Sequence, residues 1–225
     1  MATRETDEID VDELLSTPEE TGDYDCTVPE EYAGTPEEDE DVLEAPRPPQ
    51  PIAARCSREF RALRKSGTRN VSQIGLVVIH CTQSNSARSS AQWFANPAAQ
   101  GSAHILVDDF ECYRTLENEE IPWGAKGANT RGFHIEIAGW AQWTRQRWLN
   151  HAQALRRAAY KGAFHAVKFG IPIRLLSVAQ LRSGQRGFAT HHLCCQAYTG
   201  THTDPGPHFP IEQVLEWTKE YAREL

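Results

Sequence analysis

The segment from Ala189 to Pro210 concentrates side chains that could do chemistry in one short stretch. It reads ATHHLCCQAYTGTHTDPGPHFP, with several histidines, one aspartate and a Pro-Gly-Pro break. Imidazole and carboxylate groups are ligands that zinc accepts, and three protein ligands with a water form the usual catalytic arrangement. The adjacent Cys194 and Cys195 suit neither a zinc knuckle nor a disulfide with each other. An open metal site would therefore need a further ligand from elsewhere in the chain.

Two short apolar runs carry polar residues at positions where a sheet could present them to a ligand. The run IGLVVIHCT (74–82) is rich in β-branched residues, which predicts a strand buried on both faces. It places His80 at a strand end, where open α/β sheets bind their ligands. The run GFHIEIAG (132–139) predicts a second strand with Glu136 in its middle. Because an unpaired buried carboxylate is costly, Glu136 either forms a structural salt bridge or has a chemical role.

The surrounding pattern predicts an α/β fold with a mixed central β-sheet flanked by helices. Residues 102–115 alternate as a hairpin that turns at Asp108-Asp109, and residues 123–131 form a loop rich in Gly and Asn. From apolar spacing and stop signals, the expected helices are 56–66, 88–95, 150–169, 177–181 and a last one after Pro210.

The charge distribution divides the sequence into an acidic N-terminal segment and a basic remainder. Before Ala45 there are 18 acidic residues and only Arg4 on the basic side, which leaves 13 acidic and 22 basic residues after it. Residues 1–55 lack periodic apolar side chains, so we predict a disordered acidic tail that ends in the stiff linker PRPPQP (46–51). Residues 56–225 are predicted to form one folded domain. Its basic character favours polyanionic surroundings without deciding between nucleic acid, an anionic membrane surface and a cell-wall polymer.

Cysteine usage and the N-terminal sequence indicate synthesis in the cytoplasm in a reduced state. The six cysteines show no framework spacing, and Cys81, Cys112, Cys194 and Cys195 are interpreted as small core residues. The N-terminus has no basic stretch followed by an apolar stretch, so we expect no secretory signal peptide. No apolar run approaches the length of a membrane span, so we expect no membrane insertion.

Four motifs taken in order, VVIHCT, SAHILVDD, GFHIEIAG and THTDPGPHFP, resemble the zinc-dependent N-acetylmuramoyl-L-alanine amidase family. The resemblance runs from about Ile74 to Trp217 and implies the type 2 amidase fold, which peptidoglycan recognition proteins share. The chain is similar in particular to phage endolysins of actinobacterial hosts, which carry a similar TRxxWL segment after the glutamate strand. The implied activity is hydrolysis of the amide between N-acetylmuramic acid and the first L-alanine of the stem peptide.

Carried over residue by residue, the resemblance implies that His80, His191 and Asp204 hold Zn²⁺. His191, and not its neighbour His192, falls on the position that binds metal in the family. The alternative for His80 is a capped surface histidine at a strand end, with no role in metal binding. His192 and His208 are interpreted as structural or substrate-facing residues.

The resemblance also implies two catalytic residues. Glu136 falls on the family's catalytic glutamate, which would take a proton from the attacking water and pass it to the leaving amine. His202 lies two positions before the ligand aspartate and would stabilise the oxyanion, although THTDPG could also be a simple turn. His104, in the SAH motif, is a pocket candidate. Two departures concern substrate contacts: many relatives have WHAG at Trp123-Gly124-Ala125, and some phage relatives have tyrosine at Ala103.

The predicted function is a peptidoglycan hydrolase that acts in phage-type host cell lysis. The alternatives are a non-catalytic peptidoglycan-binding module, which typically lacks part of the zinc triad, and a regulator that binds another protein through the acidic tail. The expected partner is the muramoyl peptide of peptidoglycan, with no nucleic acid and no membrane insertion, and we expect a monomer. Without a signal peptide, action on the wall would follow release or holin-type export.

Overall fold

The fold has a five-stranded central sheet, a two-stranded sheet and helices that cover the central sheet. A computed structural model describes residues 27–34, 52 and 55–225. The strands are β1 (Lys65–Thr68), β2 (Leu76–Cys81), β3 (Ile105–Val107), β4 (Cys112–Arg114), β5 (Glu120–Pro122), β6 (Gly132–Ile137) and β7 (Gly187–Thr190). The helices are α1 (Glu30–Ala33), α2 (Ala87–Phe94), α3 (Arg145–Asn150), α4 (Ala152–Phe169), α5 (Val178–Arg182), α6 (His191–Ala197) and α7 (Ile211–Ala222). Among the described residues, no helix is both long enough and apolar enough to cross a membrane.

The central sheet is mixed, with strand order β4-β3-β6-β2-β7. β2 runs parallel to β6 and β7, and β3 runs parallel to β6. β4 pairs antiparallel with β3 through the predicted hairpin. Every residue of β2 and β6 is buried, as their apolar runs predict. The predicted α/β fold, a mixed central sheet flanked by helices, is confirmed.

The two faces of the sheet carry different groups because side chains alternate along each strand. Val77 and Ile79 join the main core, which includes residues of α4 and α7. Val78 belongs to a second cluster on the opposite face, together with residues of α5 and α6. His80 follows Val78 on that second face, and its register partner on β6 is Glu136. Strand pairing alone therefore brings these two polar side chains together.

Helix α4 is the main support of the sheet, and it matches the helix predicted over 150–169. A Cβ at Gly162 would lie 3.1 Å from the Phe188 ring, so the missing side chain lets the helix approach β7 closely. Gly170 ends the helix with φ +63°, the left-handed conformation that glycine adopts without strain. Beside α4, Trp148 is wholly buried and packs edge-on against Phe209. Burial of such a side chain contributes roughly 3 kcal/mol.

The segment from Cys56 to Ser66 crosses the edge of the central sheet in extended form. The Ser57 N–H donates to the Cys112 carbonyl, and the Ser57 carbonyl accepts from the Arg114 N–H, each at 2.8 Å. The helix predicted for this segment is therefore wrong. Pairing with the open edge of β4 satisfies backbone groups that a helix would have satisfied internally, and it also covers an exposed strand edge.

A disulfide between Cys56 and Cys112 ties this segment to β4. The expectation of reduced cysteines is wrong for this pair, and so is the interpretation of Cys112 as a free core thiol. Cys81 and Cys194 are free and buried, as predicted, while Cys195 is free and half-buried. Strand pairing brings the two bonded cysteines together from 56 positions apart, which spacing could not reveal. Such bonds persist in oxidising compartments.

Loss of this disulfide is expected to lower the free energy of unfolding by about 4 kcal/mol, because the bond closes a long loop in the unfolded chain. Urea denaturation of the wild type with and without dithiothreitol measures the effect. A Cys56→Ser/Cys112→Ser double variant is the control, because dithiothreitol should leave its urea midpoint unchanged. Equal midpoints for the oxidised and reduced wild type would contradict the expectation.

Part of the acidic N-terminal segment packs on the folded domain. Residues 27–34 contain helix α1, whose Tyr32 ring lies 5.3 Å from the Trp93 ring on α2. The Ala33 carbonyl accepts from the Asn85 N–H at 3.2 Å. The predicted disorder is therefore wrong at these residues, because an aromatic contact and a backbone hydrogen bond offset the entropy of ordering. The rest of the predicted tail, including the proline-rich linker, lies outside the described residues.

His165 on α4 is a buried histidine that is neutral in the folded protein. Its Nδ1 faces the Lys161 carbonyl at 2.8 Å, and its Nε2 faces Arg114 Nη2 at 3.1 Å. Nδ1 therefore donates a proton to the carbonyl, and Nε2 accepts from the guanidinium. Burial, which the Lys161 carbonyl only partly offsets, lowers the pKa of His165 to about 3 from its ordinary value of 6.5.

This depressed pKa predicts an acid-sensitive contribution to stability. The contribution is complete above pH 6.5, the ordinary pKa, and is lost as the pH falls towards about 3. Between pH 7 and pH 5 the wild type should therefore lose about 2 kcal/mol more than a His165→Gln variant, which cannot take up this proton. Urea denaturation of both proteins at the two pH values measures the difference. Equal losses in the two proteins would contradict the prediction.

Candidate metal centre and active site

The three predicted metal ligands meet at the carboxyl ends of the parallel strands. His80 comes from β2, His191 is the first residue of α6 directly after β7, and Asp204 lies in the loop before α7. One ligand atom from each lies within 4.8 Å of the others. All three residues are buried. Segments more than a hundred positions apart in the sequence are thus joined at one point.

The same ring nitrogen of each histidine faces the shared carboxylate. His80 Nδ1 lies 3.3 Å from Asp204 Oδ2, and His191 Nδ1 lies 2.9 Å from Asp204 Oδ1. The two rings are tilted with centroids 4.7 Å apart. Two imidazole nitrogens and a carboxylate that converge in this way form the donor set of a three-ligand zinc site.

Local structure around α6 holds His191 and Asp204 in place. The Thr190 hydroxyl accepts from the Leu193 N–H at 3.2 Å, so it caps α6 and puts His191 in the first turn. The His192 N–H donates to the Asp204 carbonyl at 3.0 Å. His192 therefore links the helix to the Asp204 loop and stands outside the group of three ligands.

A close approach of two loops completes this side of the site. Gly206, two residues after Asp204, has φ +98°, and a Cβ at this position would lie 1.9 Å from the Ala141 carbonyl oxygen. Only glycine meets both conditions. The loop after β6 thus packs directly on the Asp204 loop. This close contact explains why the DPG motif has glycine at its third position.

Glu136 lies beside the three ligands in the interior of the protein. Its Oε1 is 3.9 Å from His80 Nδ1, and the residue is wholly buried. Neither carboxylate oxygen makes a hydrogen bond within the part of the chain that the structure describes. Burial, reinforced by the Asp204 charge, raises the pKa of Glu136 well above its ordinary value.

His202 lies at the more exposed side of the cluster. Its ring stacks on His191 with centroids 4.4 Å apart, and its Nδ1 is 3.8 Å from Asp204 Oδ1. The side chain is 20% exposed, whereas those of His80 and His191 are almost fully buried. His202 is therefore placed where it could face both the ligand cluster and an incoming molecule.

The ionisation states of the three ligands depend on one another. Burial opposes the charged form of His191, but the Asp204 carboxylate outweighs it and raises the pKa of His191 to about 10. Burial likewise opposes ionisation of Asp204, yet His191 and His80 hold the pKa of this carboxyl well below its ordinary value. Burial lowers the pKa of His80 to about 4. A bound cation would compete with protons for these same nitrogen and oxygen atoms.

The residues present fit a catalytic zinc ion. His80 Nδ1 is buried and faces the Asp204 carboxylate, so its lone pair would be available to a cation held between them. Two neutral imidazoles and one carboxylate leave a bound Zn²⁺ with net positive charge and an open coordination position. The unpartnered oxygens of Glu136 lie next to that position.

Two contacts behind the ligands were missed from the sequence. His80 Nε2 lies 2.9 Å from Nδ1 of His134 on β6. The His191 side chain is also hydrogen-bonded to Cys195, one helical turn away on α6. The spacing in the sequence carries a signal for both. His134 lies two residues before Glu136 and so shares its strand face, and Cys195 lies four residues after His191 and so shares its helix face.

The remaining histidine candidates lie elsewhere. His104 is buried with its ring stacked 4.6 Å from that of Phe133, so the pocket position suggested for it faces the interior. His208 is exposed and outside the ligand cluster. Neither belongs to the group of three ligands among the described residues.

Comparison with solved structures finds the same fold in other proteins. The hydrolase AmiA of Staphylococcus aureus, solved with its ligand, superposes with a TM-score of 0.61 at 18% identity, over 76% of this chain and 84% of AmiA. The PlyG catalytic domain has a TM-score of 0.52 at 14% identity, over 75% and 95% of the two chains. A mutant form of PlyL has a TM-score of 0.52 at 15% identity, over 73% and 98%. At such identities the likeness concerns the fold alone.

Comparison of the sequence with family models identifies the group. No curated protein sequence matches the chain. The family model Amidase_2, described as N-acetylmuramoyl-L-alanine amidase, matches residues 70–207, which include all three clustered ligands and Glu136. This match supports a hydrolase of peptidoglycan amides, as the sequence motifs predict. The chain belongs to the N-acetylmuramoyl-L-alanine amidase family.

Proposed function

We propose that this protein is a zinc-dependent hydrolase that cleaves the amide between N-acetylmuramic acid and the L-alanine of the stem peptide. The observation that carries the proposal is the register between β2 and β6, which puts the unpartnered carboxylate of Glu136 beside the three-ligand cluster. A buried carboxylate without a hydrogen bond, next to an open metal site, matches the needs of a general base in amide hydrolysis.

His80, His191 and Asp204 would hold the metal. Zn²⁺ bound there would supply a Lewis acid that polarises the substrate carbonyl and lowers the pKa of a water to roughly 7. The protein's own part is to present one Nδ1 atom from a strand, one from the first turn of a helix and one carboxylate from the loop before α7. Burial of the cluster excludes bulk water and strengthens every charge interaction in it.

Glu136 is the proposed proton carrier. Its carboxylate accepts a proton from the attacking water and donates it to the nitrogen of the leaving L-alanine, so the free acid and the free amine are formed together. His202, partly exposed at the edge of the cluster, would donate a hydrogen bond to the carbonyl oxygen as negative charge develops there.

Mass spectrometry of digested peptidoglycan tests the proposal directly. We expect purified protein with added Zn²⁺ to release stem peptides with a new free L-alanine amino terminus and to leave glycan chains with free lactyl carboxyl groups. Cleavage at a glycosidic bond or at a peptide bond within the stem would contradict the proposed amidase activity. Tight muropeptide binding without any cleavage would favour the non-catalytic binding module, which the filled ligand set argues against.

The proposed biological role is lysis of an actinobacterial host by a phage-type enzyme, with a catalytic domain over 56–225 and an acidic tail before it. Peptidoglycan is the proposed partner, and the protein would act as a monomer on the wall after release or holin-type export. The disulfide is in keeping with work in an oxidising environment. Turbidity assays with isolated walls test the host range: faster clearing of actinobacterial walls than of other chemotypes is expected.

A further inference from the structure

His134 is a buried histidine for which the proposed mechanism has no use. It lies on β6 two residues before Glu136, on the same face of the sheet, and it is wholly buried. Its register partner on β2 is Val78, so it sits one level below the pair formed by His80 and Glu136. Its ring stacks on the His80 ring with centroids 5.0 Å apart.

Two glycines make room for this ring. A Cβ at Gly124 would lie 2.4 Å from His134 Nδ1, and a Cβ at Gly132 would lie 2.3 Å from His134 Nε2. Any other residue at either position would force the imidazole to move. The site is built around an imidazole at this position.

The polar contacts of the ring are unusually few. Nδ1 lies 2.9 Å from His80 Nε2. Nε2 is buried and makes no hydrogen bond to any residue in 27–34, 52 or 55–225. A buried ring nitrogen without a partner is unfavourable, and an apolar side chain of similar size would avoid it. The one polar contact that sets histidine apart from such a side chain is therefore the contact with His80.

With a cation bound at His80 Nδ1, this contact would have a single arrangement of protons. Nδ1 of His80 faces the Asp204 carboxylate and needs a free lone pair to bind a cation. The proton then sits on Nε2, which requires an acceptor, and His134 Nδ1 is the acceptor within reach. His134 in turn carries its own proton on Nε2. Metal-binding histidines generally donate their second N–H in this way, most often to a carboxylate or a carbonyl.

We propose that His134 is a positioning residue that holds the tautomer and the ring orientation of the zinc ligand His80. This role rests on the proposed zinc site and adds to it a second imidazole behind the first. His134 is not one of the three clustered ligands, and the ligand that it contacts is His80, so it would act through His80. The specific prediction is that an acceptor at the place of His134 Nδ1, rather than the bulk of the ring, is what zinc binding requires.

Zinc affinity of two His134 variants separates these two requirements. His134→Leu keeps the apolar volume but has no acceptor, and it should weaken zinc binding by about 10–100-fold in a chelator competition. His134→Asn places an amide oxygen near the position of Nδ1 and should restore the affinity to within about threefold of wild type. His165→Gln is the matched control, because His165 is equally buried but touches none of the ligands, and it should bind zinc as the wild type does.

The outcomes are distinct. Wild-type affinity in His134→Leu would overturn the positioning role and leave the zinc site standing. No zinc binding by the wild type would overturn both proposals. Wild-type protein labelled with ¹⁵N-histidine supplies a test that needs no variant: with zinc bound, His134 should be the Nε2–H tautomer, with a scalar coupling from its Nδ1 to His80 Nε2. An Nδ1–H tautomer of His134 would overturn the proposal.

Discussion

A Glu136→Gln variant is expected to retain zinc and its fold while losing about 10²–10⁴-fold in turnover. Glutamine preserves the volume of a wholly buried side chain but can neither accept the proton of the water nor pass it to the amine. The metal ligands are untouched, so the zinc content should equal that of the wild type. The loss should appear in kcat rather than in KM, because the carboxylate acts on the reacting atoms and not on the binding of the stem peptide.

The matched control is Glu120→Gln. Glu120 is also a largely buried glutamate, but it lies on β5 and pairs with Arg61 and Lys65. Its substitution should lower stability modestly and leave kcat near the wild-type value. If Glu136→Gln hydrolyses peptidoglycan at the wild-type rate, Glu136 is not the general base.

His191→Gln is expected to lose zinc, whereas the same substitution at the adjacent His192 is expected to keep it. His191 Nδ1 faces the Asp204 carboxylate at 2.9 Å, and His192 instead braces the loop through its backbone N–H. Loss of a direct ligand should weaken zinc binding by more than about 100-fold, the upper end of what loss of an outer contact costs. Activity should fall in parallel with zinc content.

Metal analysis after dialysis, together with peptidoglycan release assays, measures both effects. The two variants differ only in which of two neighbouring imidazoles is replaced, so nonspecific damage to α6 would affect them alike. A chelator should abolish wild-type activity, and added Zn²⁺ should restore it. Zinc loss in His192→Gln with retention in His191→Gln would reverse the assignment of the second ligand.

Elements with strong local patterns were predictable from the sequence. The β-branched run around Val77 and the apolar spacing from 150 to 169 identify β2 and α4, because burial there follows from composition and period. β7 was missed, since Gly187–Thr190 has no period of its own and becomes a strand only by pairing with β2. The segment after Cys56 was predicted as a helix, although the edge of β4 makes it extended.

For the candidate site, the sequence predicted which residue types take part but not which of their atoms are in contact. Residue types and motif order singled out the three ligands and Glu136, because few side chains can bind zinc or carry a proton in amide hydrolysis. They did not indicate that His134 contacts His80 or that His191 is hydrogen-bonded to Cys195, because each contact depends on the fold.

The sequence by itself determined the family, the donor set and the two strands that carry His80 and Glu136. The tertiary structure decided which atoms meet: the register of β2 with β6 sets His80 beside Glu136, and the loop before α7 brings Asp204 to both histidines. The physical reason is that ligand type is a property of single residues, whereas the orientation of a ring nitrogen depends on neighbours distant in sequence. For His80, that neighbour is His134 on the next strand.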